Sequence, residues 1–294
     1  MENKLYSKIY PMRLLFPALA FYGVFYLFST LLGFYLSTTD WNITRLNNIE
    51  FIGIENFIRL FKEDYFTLAI KNVAIFTIIS AIFRNILGLL LAIMLDQKMK
   101  GIKIFRTIFF LPCVLSTLVV GYVFTFIFNP TIGLLNTYLT EYGLQALALD
   151  WLGNSKIALF SIISVDIWMW TGFNTIIYLA GLQTVPSELY EASSIDGAGR
   201  WKTFKNITIP LIGASITVNL ILNIIGGLKT FDLIFVMTSG GPGFATEVLN
   251  TLMFKAMSTG TLGYATAIGV VQFIFVAVIT FPVLGILRKR EVEL

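Results

Sequence analysis

Five stretches of this chain run for 20 residues or more without a charged side chain: Leu14 to Thr39, Thr107 to Thr140, Ile167 to Pro186, Asn206 to Leu228 and Ala256 to Leu287. A sixth, Leu68 to Leu95, is apolar apart from Lys71 near one end and Arg84 nearer its middle. About 20 apolar residues are what a helix needs to cross the roughly 30 Å hydrocarbon core of a bilayer. Only 13% of the 294 residues are charged, about half of the roughly 25% usual in soluble domains. A water-soluble core of this size cannot hide so much apolar surface, so lipid is the solvent for most of the chain. The runs predict an all-α integral membrane protein with six spans, over 14–36, 68–95, 107–128, 157–182, 208–230 and 264–287.

Lys and Arg concentrate in cytoplasmic connections. Here they cluster as Lys4, Lys8 and Arg13; Lys98, Lys100, Lys103 and Arg106; Arg200, Lys202 and Lys205; and Arg288, Lys289 and Arg290. With six spans these segments all fall on one side and hold 13 of the 21 basic residues. Both termini are therefore expected in the cytoplasm of a multi-pass protein of a cell membrane. The loop 37–67, on the other side, has five acids (Asp40, Glu50, Glu55, Glu63 and Asp64) against three bases. The first apolar run is too long for a signal peptide, and no small-x-small cleavage pattern follows it. With no repeat and no polar domain in view, one transmembrane domain over 1–294 is expected.

Several chemistries are excluded. The chain has no His and one Cys, Cys113, so histidine-based metal sites, Ser-His triads and internal disulfides are out of reach. No catalytic constellation and no metal site is expected. No G-x-x-x-x-G-K-[ST] phosphate loop occurs, so any energy from ATP enters through another protein. The basic residues sit in short clusters between apolar runs, which is no surface for nucleic acid.

The connection 183–207 reads as two short helices and a turn. Pro186 and Ser187 suit a helix start, with Glu188 and Glu191 near its positive end. Gly197 and Gly199 supply the turn, and a positive φ is expected at Gly197. Arg200–Ile207 is basic and amphipathic, and Pro210 marks the start of the next span. Ala192, Ser193, Ser194, Gly197 and Ala198 are all small, a surface around which another protein's groove can close.

This segment resembles the EAA loop of binding-protein-dependent ABC importer permeases, whose pattern is E-A-A, three residues, G, nine residues, I-x-L-P. Glu191, Ala192, Gly197, Ile207 and Pro210 match; Ser193 and Ile209 depart conservatively. The resemblance implies the type I importer permease fold, with Glu191, Ala192, Ser193, Asp196, Gly197, Ala198, Ile207 and Pro210 forming the surface that docks on an ATPase. It further implies a homologous second permease subunit making a heterodimer. Two cytoplasmic ABC ATPases would bind the ATP and Mg, and an extracytoplasmic solute-binding protein would sit over loops 37–67 and 231–262.

Further stretches are similar to the maltose-type carbohydrate permeases. They are Ile52-Gly53-Ile54-Glu55-Asn56-Phe57 with Asn72, Phe109-Phe110-Leu111-Pro112 after Arg106, Asn129-Pro130, and Thr238-Ser239-Gly240-Gly241-Pro242 with Thr246. The Gly-Gly-Pro turn, expected directly after the fifth span, resembles the first-type subunit of the heterodimer. Within the spans, polar and aromatic groups suit a sugar. The fourth has Trp168, Trp170, Thr171, Asn174 and Tyr178; the fifth has Asn219, Asn223, Gly226, Gly227 and Thr230. Asn219, Asn223 and Thr230 share a helix face at i, i+4 and i+11. Buried amides need partners in lipid, so they either bridge helices or line a cavity. The resemblance places a sugar between the helices flanking the loop, with Trp170, Thr171, Asn174, Tyr178, Asn219, Asn223, Gly227 and Thr230 as pathway residues.

Arg84 and Asp166 are charges within spans, which by default face a bundle interior or water. Either they pair, or Arg84 snorkels. Three other readings stand beside a sugar permease: an ABC permease for a glycerol phosphodiester or polyamine, an ion-coupled secondary transporter, and an intramembrane enzyme. The last two lack inverted repeats and acid–base groups respectively.

Overall fold

The computed structural model describes residues 15–45, 49–97 and 100–289. Leu14, Lys4, Lys8, Arg13, Lys98 and Arg290, on which part of the span and orientation reading rests, lie outside the described residues. The backbone is helical over most of the predicted spans. Four helices are long and apolar enough to cross a membrane unbroken: α1 (Leu15–Leu36), α3 (Asp64–Leu95), α7 (Ala158–Thr184) and α13 (Leu262–Arg288). A short α2 (Glu55–Lys62) precedes α3. Inside lipid each backbone N–H and C=O must be satisfied within the segment, which is why apolar runs of this length become helices.

Two predicted spans are bent instead of straight. The stretch 107–128 is two helices, α4 (Ile102–Val114) and α5 (Thr117–Ile127), meeting at 93°. Pro112 has no N–H to donate and its ring crowds the carbonyl one turn earlier. The helix ends two residues after it, with Leu115 and Ser116 extended. The stretch 208–230 also differs. The basic segment continues through Pro210 as α9 (Arg200–Leu211), breaks at Ile212, and resumes at 69° as α10 (Gly213–Leu228). A π turn over Phe204–Thr208 precedes Pro210, where the missing N–H frees a carbonyl from the usual register. Counting each bent pair as one span gives six among the described residues.

The remaining helices are short: α6 (Leu134–Glu141), α8 (Ser187–Ile195), α11 (Asp232–Thr238) and α12 (Leu249–Ser258). The Gly-Gly-Pro turn therefore does not follow the fifth span directly, because α11 intervenes. The turn is held by side chains: Thr238 and Thr246 hydroxyls lie 2.6 Å apart, Thr246 Oγ1 donates to the Gly241 carbonyl at 2.7 Å, and Asn72 Nδ2 donates to the Glu247 carbonyl at 3.0 Å.

The chain clusters into two compact units. The first is the described part of Met1–Glu63 with Leu252–Val271. It is organised by Asn56, whose buried amide donates to the Ser37 and Thr39 carbonyls at 2.9 and 2.8 Å. Tyr264 donates to Glu63 and lies under the Arg59 guanidinium. The second unit is Asp64–Thr251 with the described part of Gln272–Leu294. Its core joins α3, α7, α10 and α11 through Phe76, Ile162, Met169, Leu228 and Ile234, all almost fully buried.

Small residues set how near these helices lie. A Cβ on Gly88 of α3 would stand 2.8 Å from Asn174 Cβ of α7, and one on Gly172 would collide with the Phe109 carbonyl of α4. Gly33 of α1 has nothing within 4 Å. Overpacking of this kind costs about 1–3 kcal/mol. Gly88→Val is expected to lower the midpoint of heat-induced loss of monodispersity in detergent, and Gly33→Ala to leave it unchanged. Equal midpoints for the two variants would mean that α3 and α7 do not depend on close approach at Gly88.

Candidate functional site

Arg84 on α3 and Asp166 on α7 form an ion pair, with both side chains more than nine-tenths buried. The guanidinium also donates from Nη1 to Asn223 Oδ1 of α10 at 3.2 Å, and stands 6.0 Å from the Trp170 ring centre. Asn223 Nδ2 donates to Asn174 Oδ1 at 2.6 Å, and Asn174 Nδ2 to the Trp170 carbonyl at 3.0 Å. Three helices thus meet in one polar chain, Asp166–Arg84–Asn223–Asn174. Its donors and acceptors point at one another because lipid and packed side chains offer them nothing else.

The chain borders a cavity of about 330 Å³. Arg84, Asp166, Trp170, Phe173 and Asn174 line one side, and Leu222, Asn223 and Gly226 another. Thr117, Lys229, Thr230, Phe231, Asp232 and Leu233 complete the wall. The break after Pro112 brings in Thr117, the first residue of α5. The end of α10 at Leu228 brings in 229–232. Three aromatic rings, two carboxamides and two threonines can grip a hydroxylated ring by stacking and hydrogen bonding. Among the described residues no three His, Cys, Asp or Glu side chains cluster as a metal site.

The eight residues read as a pathway divide. Trp170, Asn174, Asn223 and Thr230 line the cavity. Of the other four, Asn219, Tyr178 and Gly227 are engaged between helices, and Thr171 bonds back to its own helix. Asn219 Nδ2 donates to the Asn174 carbonyl at 3.2 Å, Tyr178 OH to Asn85 Oδ1 at 2.6 Å, and Thr171 Oγ1 to the Ile167 carbonyl at 2.6 Å. Gly227 packs on Thr77, where a Cβ would come within 2.8 Å of the hydroxyl. Thr230 lies beyond the helix that carries Asn219 and Asn223, so the three do not share one helical face. The sequence did not point to Thr117, Phe173, Leu222, Phe231, Leu233 or the charged residues Lys229 and Asp232. Phe173 sits one turn after Trp170 and was within reach of the same periodicity.

The 183–207 connection is α8, a turn and the first part of α9. Gly197 has φ +70°, the left-handed region that a side chain resists. Gly199, at φ −68°, instead caps the start of α9. Ser193 is buried and ties the helices together, its hydroxyl 3.1 Å from that of Thr203. Glu191, Ala192, Asp196 and Gly197 are exposed, Ala198, Ile207 and Pro210 half-buried. Ile195 and Trp201 are 87% and 74% exposed, large apolar groups on a surface otherwise built for water.

Residues 84–291 match the family described as binding-protein-dependent transport system inner membrane component. A probable ABC transporter permease of Bacillus subtilis (strain 168) is 37% identical over 271 residues, covering 91% of this chain and 92% of the relative. The trehalose/maltose transport system permease protein MalF of Thermococcus litoralis is 33% identical over 99% of this chain and all of its own length. A crystal structure of a bacterial ABC transporter involved in the import of the acidic polysaccharide alginate contains a similar chain. It has a TM-score of 0.81 and 27% identity, and covers 97% of this chain and 99% of that one.

The ion pair sets a stability test. Removing one partner of a buried pair costs about 3–5 kcal/mol, whereas replacing both by apolar groups is often neutral. Arg84→Leu alone is expected to lower the thermal midpoint in detergent, and Arg84→Leu with Asp166→Leu to recover most of the loss. A double variant no more stable than the single would show that the two charges are not energetically coupled.

Proposed function

The chain belongs to the family of binding-protein-dependent transport system inner membrane components, and from that premise we propose how it works. It is the membrane-spanning permease subunit of an ABC importer, moving a sugar or oligosaccharide by alternating access. The observation that carries the saccharide reading is the cavity, where Trp170, Phe173 and Phe231 rings stand beside Asn174, Asn223 and two threonines. That composition suits a hydroxylated, weakly amphipathic ligand, and relatives named for trehalose/maltose and alginate transport point the same way.

In this reading the permease does no chemistry of its own. Two cytoplasmic ABC ATPases bind ATP and Mg and drive the cycle. A homologous second permease completes the pathway as a heterodimer, and an extracytoplasmic binding protein delivers the sugar. The chain lies in a bacterial inner or plasma membrane with both termini in the cytoplasm. The 183–207 connection is the ATPase-coupling surface: Glu191, Ala192, Asp196 and Gly197 are exposed there beside Ile195 and Trp201. Apolar groups so exposed are what a partner covers. Trp170, Asn174, Asn223 and Thr230 face the substrate, while Thr171, Tyr178, Asn219 and Gly227 hold the wall they stand on.

Two variants separate the site from the coupling surface. Asn223→Leu is expected to abolish sugar uptake in proteoliposomes while the complex assembles and its ATPase still responds to the binding protein. Normal uptake in that variant would leave Asn223 as a helix bridge only. Gly197→Asp forces a side chain into φ +70°, costing about 1–2 kcal/mol, and sets a second acid beside Asp196. It is expected to reach the membrane at normal levels yet fail to retain the ATPase on purification. Retention with full transport would remove the coupling role from this loop.

A further inference from the structure

The charges around the cavity come in opposites. Two cations, Arg84 and Lys229, line it with two anions, Asp166 and Asp232. Lys229 and Asp232 are exposed, where water screens them. Arg84 and Asp166 are 6% and 5% exposed, so their pairing sets the field inside. Asp166 occupies one terminal nitrogen of the guanidinium and Asn223 the other. The charge of the guanidinium is thereby already matched by Asp166, although its Nε has no hydrogen-bond partner, so an incoming carboxylate would add a second anion to a neutral pair.

We propose that this cavity takes an uncharged saccharide and rejects a uronate, and that Asp166 determines this selectivity by neutralising Arg84. The proposal rests on the importer reading above. A uronate reaching the buried pair would set its carboxylate beside Asp166 against a single guanidinium, or break the Arg84–Asp166 pair and strand Asp166. At Lys229 it would compete with Asp232 in an exposed place where a charge pair is worth little. A neutral ring meets neither obstacle, because its hydroxyls need only amide and hydroxyl partners. Discrimination by an unfavourable state of the wrong ligand is a general route to specificity. Alginate, the acidic polysaccharide named for the solved transporter with the similar chain, is the kind of ligand this wall would exclude.

The test uses the full importer in nanodiscs without its binding protein, so that the membrane cavity alone selects. Saturation-transfer NMR is run with neutral trisaccharides of differing linkage (maltotriose, cellotriose, raffinose) and with trigalacturonate. At least one neutral trisaccharide is expected to bind, and trigalacturonate to bind about tenfold more weakly or not at all. Asp166→Asn frees the guanidinium and is expected to tighten trigalacturonate about tenfold or more, the size of a modest close charge pair. Should that variant misfold, Arg84→Gln with Asp166→Asn carries no buried charge, and is expected to keep the neutral preference. Binding of trigalacturonate to the unaltered importer as tightly as the neutral sugars would overturn the selectivity and leave the saccharide reading intact. So would a folded Asp166→Asn protein that gains nothing for trigalacturonate. Failure of every saccharide to bind would take down the importer's sugar reading and this proposal with it.

Discussion

A guanidinium in a segment built for lipid must find an anion, and Arg84 finds Asp166 where α3 runs beside α7. Left alone at that depth, either charge would cost several kcal/mol. Paired, they still require hydrogen-bonding neighbours for their remaining polar atoms. Asn223 answers from α10, and Asn174 in turn satisfies Asn223. The helices approach closely enough for this because Gly88 and Gly227 have no side chains to hold them apart. The polar chain and the small residues are thus one arrangement: the glycines permit the distance and the charges require it.

The same arrangement creates the cavity. Side chains locked to each other cannot collapse inward, and the bends after Pro112 and at Ile212 turn neighbouring backbone away from the straight path of a span. Thr117 on one side and the 229–232 segment on the other then border open space that straight helices would have filled. The far end of α10 is held as well. Asn250 Nδ2 donates to the Lys229 carbonyl at 2.7 Å and Gln272 Nε2 to that of Leu228 at 3.2 Å, satisfying carbonyls that every helix end leaves open.

How far the sequence could be read follows from which forces are local. Absence of charge over 20 residues reports directly on lipid, so α1, α7 and α13 were legible to within two residues, while α3, which carries Lys71 and Arg84, starts four residues before the expected Leu68. Pro112 and Pro210 were visible too. Whether a proline kinks a helix, ends it or is accommodated depends on its neighbours, and both bends were missed. Asn219 and Asn223 were correctly placed on one face, but periodicity names a face and not what lies opposite it. Asn219 turned to the α7 backbone and Asn223 to both the ion pair and the cavity. Thr230 failed differently, since i+11 assumes a helix that stops at Leu228. In the 183–207 loop, Gly197 was legible because a short turn between helices needs a left-handed residue. Exposure of Ile195 and Trp201 was not, since nothing in a composition says which face of a two-helix hairpin stays uncovered.

The two helices that carry the cavity's carboxamides are the two that the 183–207 loop joins. From Trp170 and Asn174, α7 runs without a break to Thr184, and Pro186 and Ser187 begin α8 directly. On the return, α9 leads through Ile212 into α10 and its Asn219 and Asn223. An unbroken helix transmits a push at its end as a tilt along its length, whereas a 69° bend absorbs part of it by opening or closing. A force applied at the loop therefore reaches the two sides of the cavity unequally. The α7 wall follows, and the α10 wall lags by whatever the Ile212 bend takes up. The Asn174–Asn223 bond, at 2.6 Å across those walls, lies where that difference is felt. One hydrogen bond is worth about 1 kcal/mol net, so the contact between the two walls is a weak one.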